Sequence, residues 1–207
     1  MKIGCIIMAA GQGVRFGGNK LLAPLNGEPV LGHVLARLPR ERLQKMIAVA
    51  RSEEVAWLCM QQRVDCLIYG GGAQSDTVRL GIDEMSEMDG CLFVMGDQPL
   101  CTRQSLECML AQFEKTPDCV LRLAFQGRAG SPVLFPRRFF SALAALQGEQ
   151  GGMAALHGQQ VEICLVEAGH EAELWDADTV QDLQKIERYF LQNAQHGIDG
   201  QSETGAF

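Results

Sequence analysis

Apolar and polar positions alternate along this chain in blocks rather than residue by residue. Residues 3–9 form an unbroken apolar run, partly β-branched, that ends at a glycine-rich turn. A strand buried on both faces reads this way. Residues 30–38 then carry apolar positions at helical spacing, with Pro29 where a first-turn proline is tolerated. The rhythm continues with a strand at 45–50, a helix at 53–61 and a strand at 64–69. The turn Gly70-Gly71-Gly72 opens a helix through about Met85, and a strand at 91–95 ends in Gly96-Asp97-Gln98-Pro99. A helix to about Phe113 and a strand at 119–125 follow. This alternation predicts the α/β class, as a single-domain three-layer sandwich with a mostly parallel, Rossmann-like sheet. Ligands of such sheets bind beyond the carboxyl ends of the strands, where the turns at 11–20, 70–77 and 96–99 all fall.

The pattern changes after Arg128. Gly130-Ser131-Pro132 leads into the apolar run 133–135, then a helix at about 138–146, a loop at 148–152 and a short helix. A strand is expected at 161–166 and a last one at 173–175. Asp176-Ala177-Asp178-Thr179 opens a terminal helix to about Asn193, with Thr179 at its N-cap. Residues 195–207 are polar and glycine-rich, the composition of a disordered tail. No repeat or linker divides the chain, so residues 1–194 are expected to form one domain.

Composition narrows the function classes. The chain has 207 residues, 47% hydrophobic and 21% charged, as expected of a globular protein. Its formal charge of −7 argues against a sequence-independent nucleic-acid binder, which needs a basic surface, but not against a nucleotide ligand. No segment approaches the roughly 20 apolar residues that span a bilayer. The first apolar run is at the short end for a secretion signal. Of eight cysteines, Cys5, Cys66, Cys91, Cys119 and Cys164 sit inside apolar runs, and no Cys-x-x-Cys pair occurs. With four scattered histidines, this argues against a zinc site and for a reducing, cytoplasmic compartment.

The first turn carries four glycines (Gly11, Gly13, Gly17 and Gly18) and two charges, Arg15 and Lys20, both positive. Glycines let backbone N–H groups converge on an anion, and two cations suit a polyphosphate. Neither familiar cradle matches. Phe16 replaces the third glycine of the dinucleotide fingerprint, and Asn19 follows Gly18 where a P-loop needs lysine. Asp97 closes an apolar strand at the ligand edge. It reads either as a turn aspartate or as a Mg²⁺ ligand. Asp178 reads either as a helix-capping acid or as a second metal carboxylate. Ser75 is a candidate cap for the helix after Gly72, and His33, His157 and His170 read as surface or core residues.

Ala9-Ala10-Gly11-Gln12-Gly13-Val14-Arg15-Phe16-Gly17-Gly18-Asn19-Lys20 resembles the signature of sugar- and cofactor-nucleotidyltransferases. More narrowly, it resembles that of the molybdenum cofactor cytidylyltransferases. The resemblance implies that Ala9, Ala10, Gly11, Gly13, Arg15 and Lys20 hold the nucleotide, with Arg15, Lys20 and Asp97 catalytic. Gly96-Asp97-Gln98-Pro99 is similar to that family's metal motif, and Asp176 to Leu183 to its second acidic segment. Val180 and Gln181 there replace a proline and a glutamate. Asp97 and Asp178 would then bind Mg²⁺ or Mn²⁺. Gly70, Gly71, Gly72 and Thr77 resemble the base-and-ribose segment of methylerythritol-phosphate cytidylyltransferases, with Gln74 in place of an arginine. Gly130 and Ser131 occupy the acceptor turn, with serine where histidine or asparagine is usual. Residues 148–153 depart from the Gly-Asp-x-Gly-Ala-Arg segment the family often carries, with Glu149 and Met153 at its two charged positions.

The implied division is a nucleotide-binding half, 1–127, and an acceptor-binding half, 128–194. The implied reaction moves CMP from CTP to the phosphate of molybdopterin, releasing pyrophosphate. The finished cofactor would serve a molybdenum hydroxylase apoenzyme. Alternatives of the same class are a methylerythritol-phosphate or other small-acceptor cytidylyltransferase and guanylyl transfer to the same cofactor. A non-catalytic escort for the cofactor and a nicotinamide oxidoreductase are alternatives of other classes.

Overall fold

The computed structural model describes residues 1–11, 13 and 16–199, with side chains through Gln192. The expected α/β sandwich is present. Strands β1 (Ile3–Ala9), β4 (Lys45–Ala50), β5 (Asp65–Ile68), β6 (Gly90–Met95), β7 (Val120–Phe125), β8 (Arg128–Pro136) and β9 (Ile163–Glu167) form one sheet. Their order is β5-β4-β1-β6-β8-β7-β9. All neighbours pair in parallel except β8, which runs antiparallel to both β6 and β7. A two-stranded hairpin of β2 (Pro24–Leu25) and β3 (Glu28–Pro29) stands apart.

The period of two along β1 sorts its side chains into two cores. Ile3, Cys5 and Ile7 pack with Leu31 and Leu35 of α1 (Val30–Ala36), Val55 of α2 (Glu53–Gln61) and Phe113 of α4 (Arg103–Lys115). Ile6 faces the other way, into a core with Val78 and Ile82 of α3 (Gln74–Asp83) and Leu143 of α5 (Phe140–Ala144). Two buried faces require apolar side chains on both, which is why β1 reads as a continuous apolar run rather than an alternating one. A third, smaller core joins Leu25 of the hairpin and Val30 to Leu100, Ala177 and Ile186 of α6 (Val180–Asp199). It draws the C-terminal segment against the turn that follows β1.

Several local expectations change. Residues 173–175 are not a strand: a 3₁₀ turn covers Glu171–Leu174, because the Glu173 carboxylate is committed to contacts inside the fold. The terminal helix continues to Asp199 instead of ending near Asn193, so the expected tail begins at least five residues later; the rest of it, 200–207, lies outside the described residues. Ser75 does not cap α3 but is buried within it; the Asp76 carboxylate instead accepts from the Ala73 N–H at 3.1 Å. Thr179 does cap α6. Its N–H and Oγ1 both donate to Asp182, and the Asp182 N–H donates back to Oγ1, a reciprocal capping box. No helix among the described residues is long and apolar enough to cross a membrane.

Candidate active site

The carboxyl ends of β1, β4, β5 and β6 deliver four turns to one edge. β1 lies where the chain order reverses, with β4 on one side and β6 on the other, the position at which sheets of this kind open a crevice. The first turn is shaped by Gly13, whose φ of +57° suits glycine and whose hypothetical Cβ would sit 2.5 Å from the Gly18 carbonyl oxygen. The Phe16 N–H closes this turn on the Gly13 carbonyl at 2.9 Å. Asn19 then caps a 3₁₀ turn, Lys20–Leu22, by accepting from the Leu21 N–H. That cap aims Lys20 inward, where it is only 8% exposed. Arg15, expected beside it, lies outside the described residues.

The Lys20 ammonium donates to Asp97 at the end of β6 and, at 2.6 Å, to Asp178 Oδ1. Two carboxylates 81 positions apart therefore meet on the Lys20 ammonium. Burial lowers the Lys20 pKa, but the Asp97 charge and the hydrogen bonds to Asp178 and Asp97 more than offset it, so the ammonium is held protonated. The backbone joins the same two segments: the Ala177 N–H donates to the Asp97 carbonyl at 2.9 Å. Asp176 completes the cluster. Burial, then the charges of Asp97 and Asp178, push its carboxyl up to about 6. One ammonium against Asp97 and Asp178 leaves net negative charge even before Asp176 is counted. Asp97 Oδ1 is moreover buried without a hydrogen-bond partner among the described residues. An orphaned buried carboxylate oxygen is costly. Hard oxygen donors with residual negative charge fit a divalent cation such as Mg²⁺ or Mn²⁺, held by Asp97 and Asp178 with Asp176 beside them.

A cavity of about 550 Å³ opens over this cluster. Ala10, Gly11, Gly13, Lys20, Gly72, Thr77, Asp97 and Asp178 line it. Ala9, Gly70 and Gly71, from the same motifs, do not; Ala9 is the buried last residue of β1. Arg51, unremarked in the sequence, straps the two glycine turns together. Its Nε donates to the Ala10 carbonyl at 3.0 Å and its Nη2 to the Gly72 carbonyl at 3.3 Å. Its place directly after β4, at the ligand edge, was the available signal. Met8, Met95, Gln74 and Glu149 also line the cavity. Glu149 sits in the segment that departs from the family's pattern, which hid its place here; the loop is brought in by the Ser75 N–H donating to the Gly148 carbonyl at 3.1 Å.

Gly130 and Ser131 are neighbours on β8, so they face opposite sides of the sheet. Ser131 lines a cavity of about 330 Å³ with Phe93, Phe135, Met153 and His157, which shares Met8, Gln74 and Met95 with the large cavity. Gly130 lines a different one, about 380 Å³, bordered by Trp175, Asp176, Asp178 and Lys185. The Gly130 cavity borders the acidic cluster and the Ser131 cavity does not, so the two residues do not share a site. His157, read as structural, is among the lining groups. Glu173 lies beneath: 3% exposed, it accepts from the Thr102 N–H (2.9 Å), Thr102 Oγ1 (2.7 Å) and the Gly169 N–H (2.8 Å). It thus ties the start of α4, just past Asp97, to the segment that delivers Asp176 and Asp178.

The switch-point crevice, glycine turns, buried lysine and facing carboxylates are the frame of a nucleotide-binding α/β protein. The chain belongs to the MobA-like NTP transferase domain family, whose model matches residues 5–163, and it is a nucleotidyltransferase. It is similar to the purine catabolism protein PucB of Bacillus subtilis (strain 168), 26% identical over 88% of this chain and 95% of that protein. It is also similar to a probable molybdenum cofactor guanylyltransferase of Thermococcus kodakarensis, 29% identical over 56% of this chain and 57% of that protein. Among solved structures, Rv0371c of Mycobacterium tuberculosis H37Rv in complex with manganese superposes with a TM-score of 0.70. That match has 20% identity and covers 91% of this chain and 99% of the other.

Proposed function

We propose that the protein transfers CMP from CTP to the phosphate of molybdopterin, releasing pyrophosphate and forming the cytosine dinucleotide cofactor. The observation that carries the transfer chemistry is the convergence of Lys20, Asp97 and Asp178 beneath a cavity bounded by two glycine turns. The likeness to a probable molybdenum cofactor guanylyltransferase and the motifs at 9–20 and 96–99 support the acceptor. The choice of cytosine rests on the Ala-Ala-Gly opening of the first turn, as in the cytidine-using families it resembles.

A phosphate monoester is already anionic at neutral pH, so its oxygen needs no general base to attack the α-phosphorus. The demand is to bring two polyanions together and hold them in line. Lys20 and the backbone N–H groups around Gly11 and Gly13 bind the triphosphate and stabilise the departing pyrophosphate. Arg51 keeps the two glycine turns at a fixed separation, with Gly72 and Thr77 toward the base and ribose. Asp97 and Asp178 would hold Mg²⁺ or Mn²⁺, which supplies charge neutralisation at the α-phosphate when bound. Arg15, from the same signature, is assigned to the triphosphate, and Ser131 to the acceptor.

The test is pyrophosphate release with molybdopterin and Mg²⁺, run with each of the four nucleoside triphosphates. Turnover with CTP supports the reading. Turnover with GTP alone favours the second reading, guanylyl transfer, which the Thermococcus relative motivates. No turnover with any of the four contradicts the acceptor assignment.

A further inference from the structure

The opposite edge of the sheet carries a second set of metal-ligating side chains. β7 and β9 run parallel, with Val120 opposite Ile163 and Leu121 opposite Cys164; the Val120 N–H donates to the Glu162 carbonyl at 3.0 Å. Cys119 therefore stands across from Glu162, and the two-residue period puts Glu162 and Cys164 on one face. The Cys119 and Cys164 sulfurs and a Glu162 carboxylate oxygen all lie within 4.8 Å of one another. The Cys164 Sγ and Glu162 Oε1 atoms are 4.0 Å apart. Cys119 is buried, Cys164 half-buried and Glu162 exposed, so the cluster has a closed floor and an open mouth.

We propose that Cys119, Cys164 and Glu162 bind one thiophilic divalent cation of the Zn²⁺ class, with solvent as the fourth ligand. Tetrahedral zinc with sulfur at about 2.3 Å and oxygen at about 2.0–2.2 Å holds its donors roughly 3.5–3.8 Å apart. Side-chain rotation, chiefly of exposed Glu162, covers the remaining distance. Two thiolates and one carboxylate select a soft or borderline ion against Mg²⁺, the reverse of the all-oxygen cluster at Asp97 and Asp178. Burial, then the Cys164 thiol and the Glu162 carboxylate, hold the Cys119 thiol protonated, a condition that a bound cation reverses by displacing the proton. The site would clamp edge strand β9 to β7 just ahead of the segment bearing Glu173, Asp176 and Asp178. Cys-x-x-Cys spacing gave no hint, because the ligands come from two strands some 43 positions apart. Cys59 and Cys66 form another close thiol pair but have no third ligating group within reach among the described residues.

The test is an anaerobic Co²⁺ titration of the full, reduced chain, followed by Zn²⁺. The expected result is one equivalent of Co²⁺ with a thiolate-to-cobalt charge-transfer band that Zn²⁺ abolishes and excess Mg²⁺ leaves in place. Cys119→Ser and Cys164→Ser should each lose the band, and Glu162→Gln should weaken binding roughly tenfold. Where buried Cys119→Ser perturbs folding, half-buried Cys164→Ser carries the test, with the melting temperature of its metal-free form as the control. Absence of the band, or a band that survives both cysteine substitutions, overturns the proposal. Neither outcome depends on nucleotidyl transfer, so this site and the enzyme assignment can fail separately.

Discussion

Residues 3–100 meet the cavity as turns at the ends of adjacent parallel strands, whereas residues 128–192 reach it by an antiparallel strand and a short irregular segment. The first region needs only its own sheet to place Lys20, Arg51, Gly72 and Asp97 at one edge. The second has no such scaffold. Asp176 and Asp178 arrive because a small third core, the Glu173 carboxylate and one backbone hydrogen bond to Asp97 pull that segment in. Sheet topology thus positions the proposed triphosphate contacts, and side-chain tethers position the second carboxylate.

The largest expected effect lies where the two regions touch. Lys20→Ala and Asp97→Asn should each lower turnover in the pyrophosphate assay by roughly 10²–10³-fold, the scale of losing a charge-stabilising group. Loss of turnover with unchanged melting temperature places the defect in the chemistry rather than the fold. Next comes Glu173→Gln, which keeps the shape but swaps a carboxyl group that accepts three hydrogen bonds for an amide. It should raise the Mg²⁺ or Mn²⁺ concentration for half-maximal rate roughly tenfold and recover most of the rate at saturating metal. An unchanged metal requirement would mean the tether is not what sets the second carboxylate.

Gly72→Ala should act on the first region alone. Its φ is +154° and its hypothetical Cβ would come 1.7 Å from the Tyr69 hydroxyl, which now donates to Asp76 at 2.6 Å. The turn must shift, so KM for the nucleotide should rise several-fold, about 1 kcal/mol, with KM for the acceptor unchanged. The smallest effect is Ser131→Ala, a single hydroxyl at an adjoining cavity. It should raise KM for the acceptor roughly 2- to 10-fold, the worth of one hydrogen bond, and leave the nucleotide untouched. A reversed pattern between these two variants would break the assignment of regions to substrates.

The two regions were also unequally legible in the sequence. Apolar runs announced β1, β4 and β6, because strands buried on both faces have little freedom of composition; edge strand β5, half exposed, showed as a shorter apolar run before the glycine turn. Lys20, Gly72, Thr77 and Asp97 followed from the turns those strands must end in. The region after Arg128 kept no such period. Glu173 sits in a stretch that reads as strand but folds as a 3₁₀ turn, since satisfying its buried carboxylate outweighs local propensity. Gly130 and Ser131 read as one acceptor turn, yet strand alternation sends them to separate cavities. Arg51 was missed because its partners are the carbonyls of Ala10 and Gly72, which no side-chain motif records.

The claim that Asp97 and Asp178 act as one unit is tested most directly by a double-mutant cycle on nucleotidyl-transfer rate with Asp97→Asn, Asp178→Asn and the pair. Two ligands of one ion should not be additive: the paired variant should be no slower than the worse single one, within about threefold. Losses that multiply, or an Asp178→Asn protein that turns over like the unaltered chain, would contradict it.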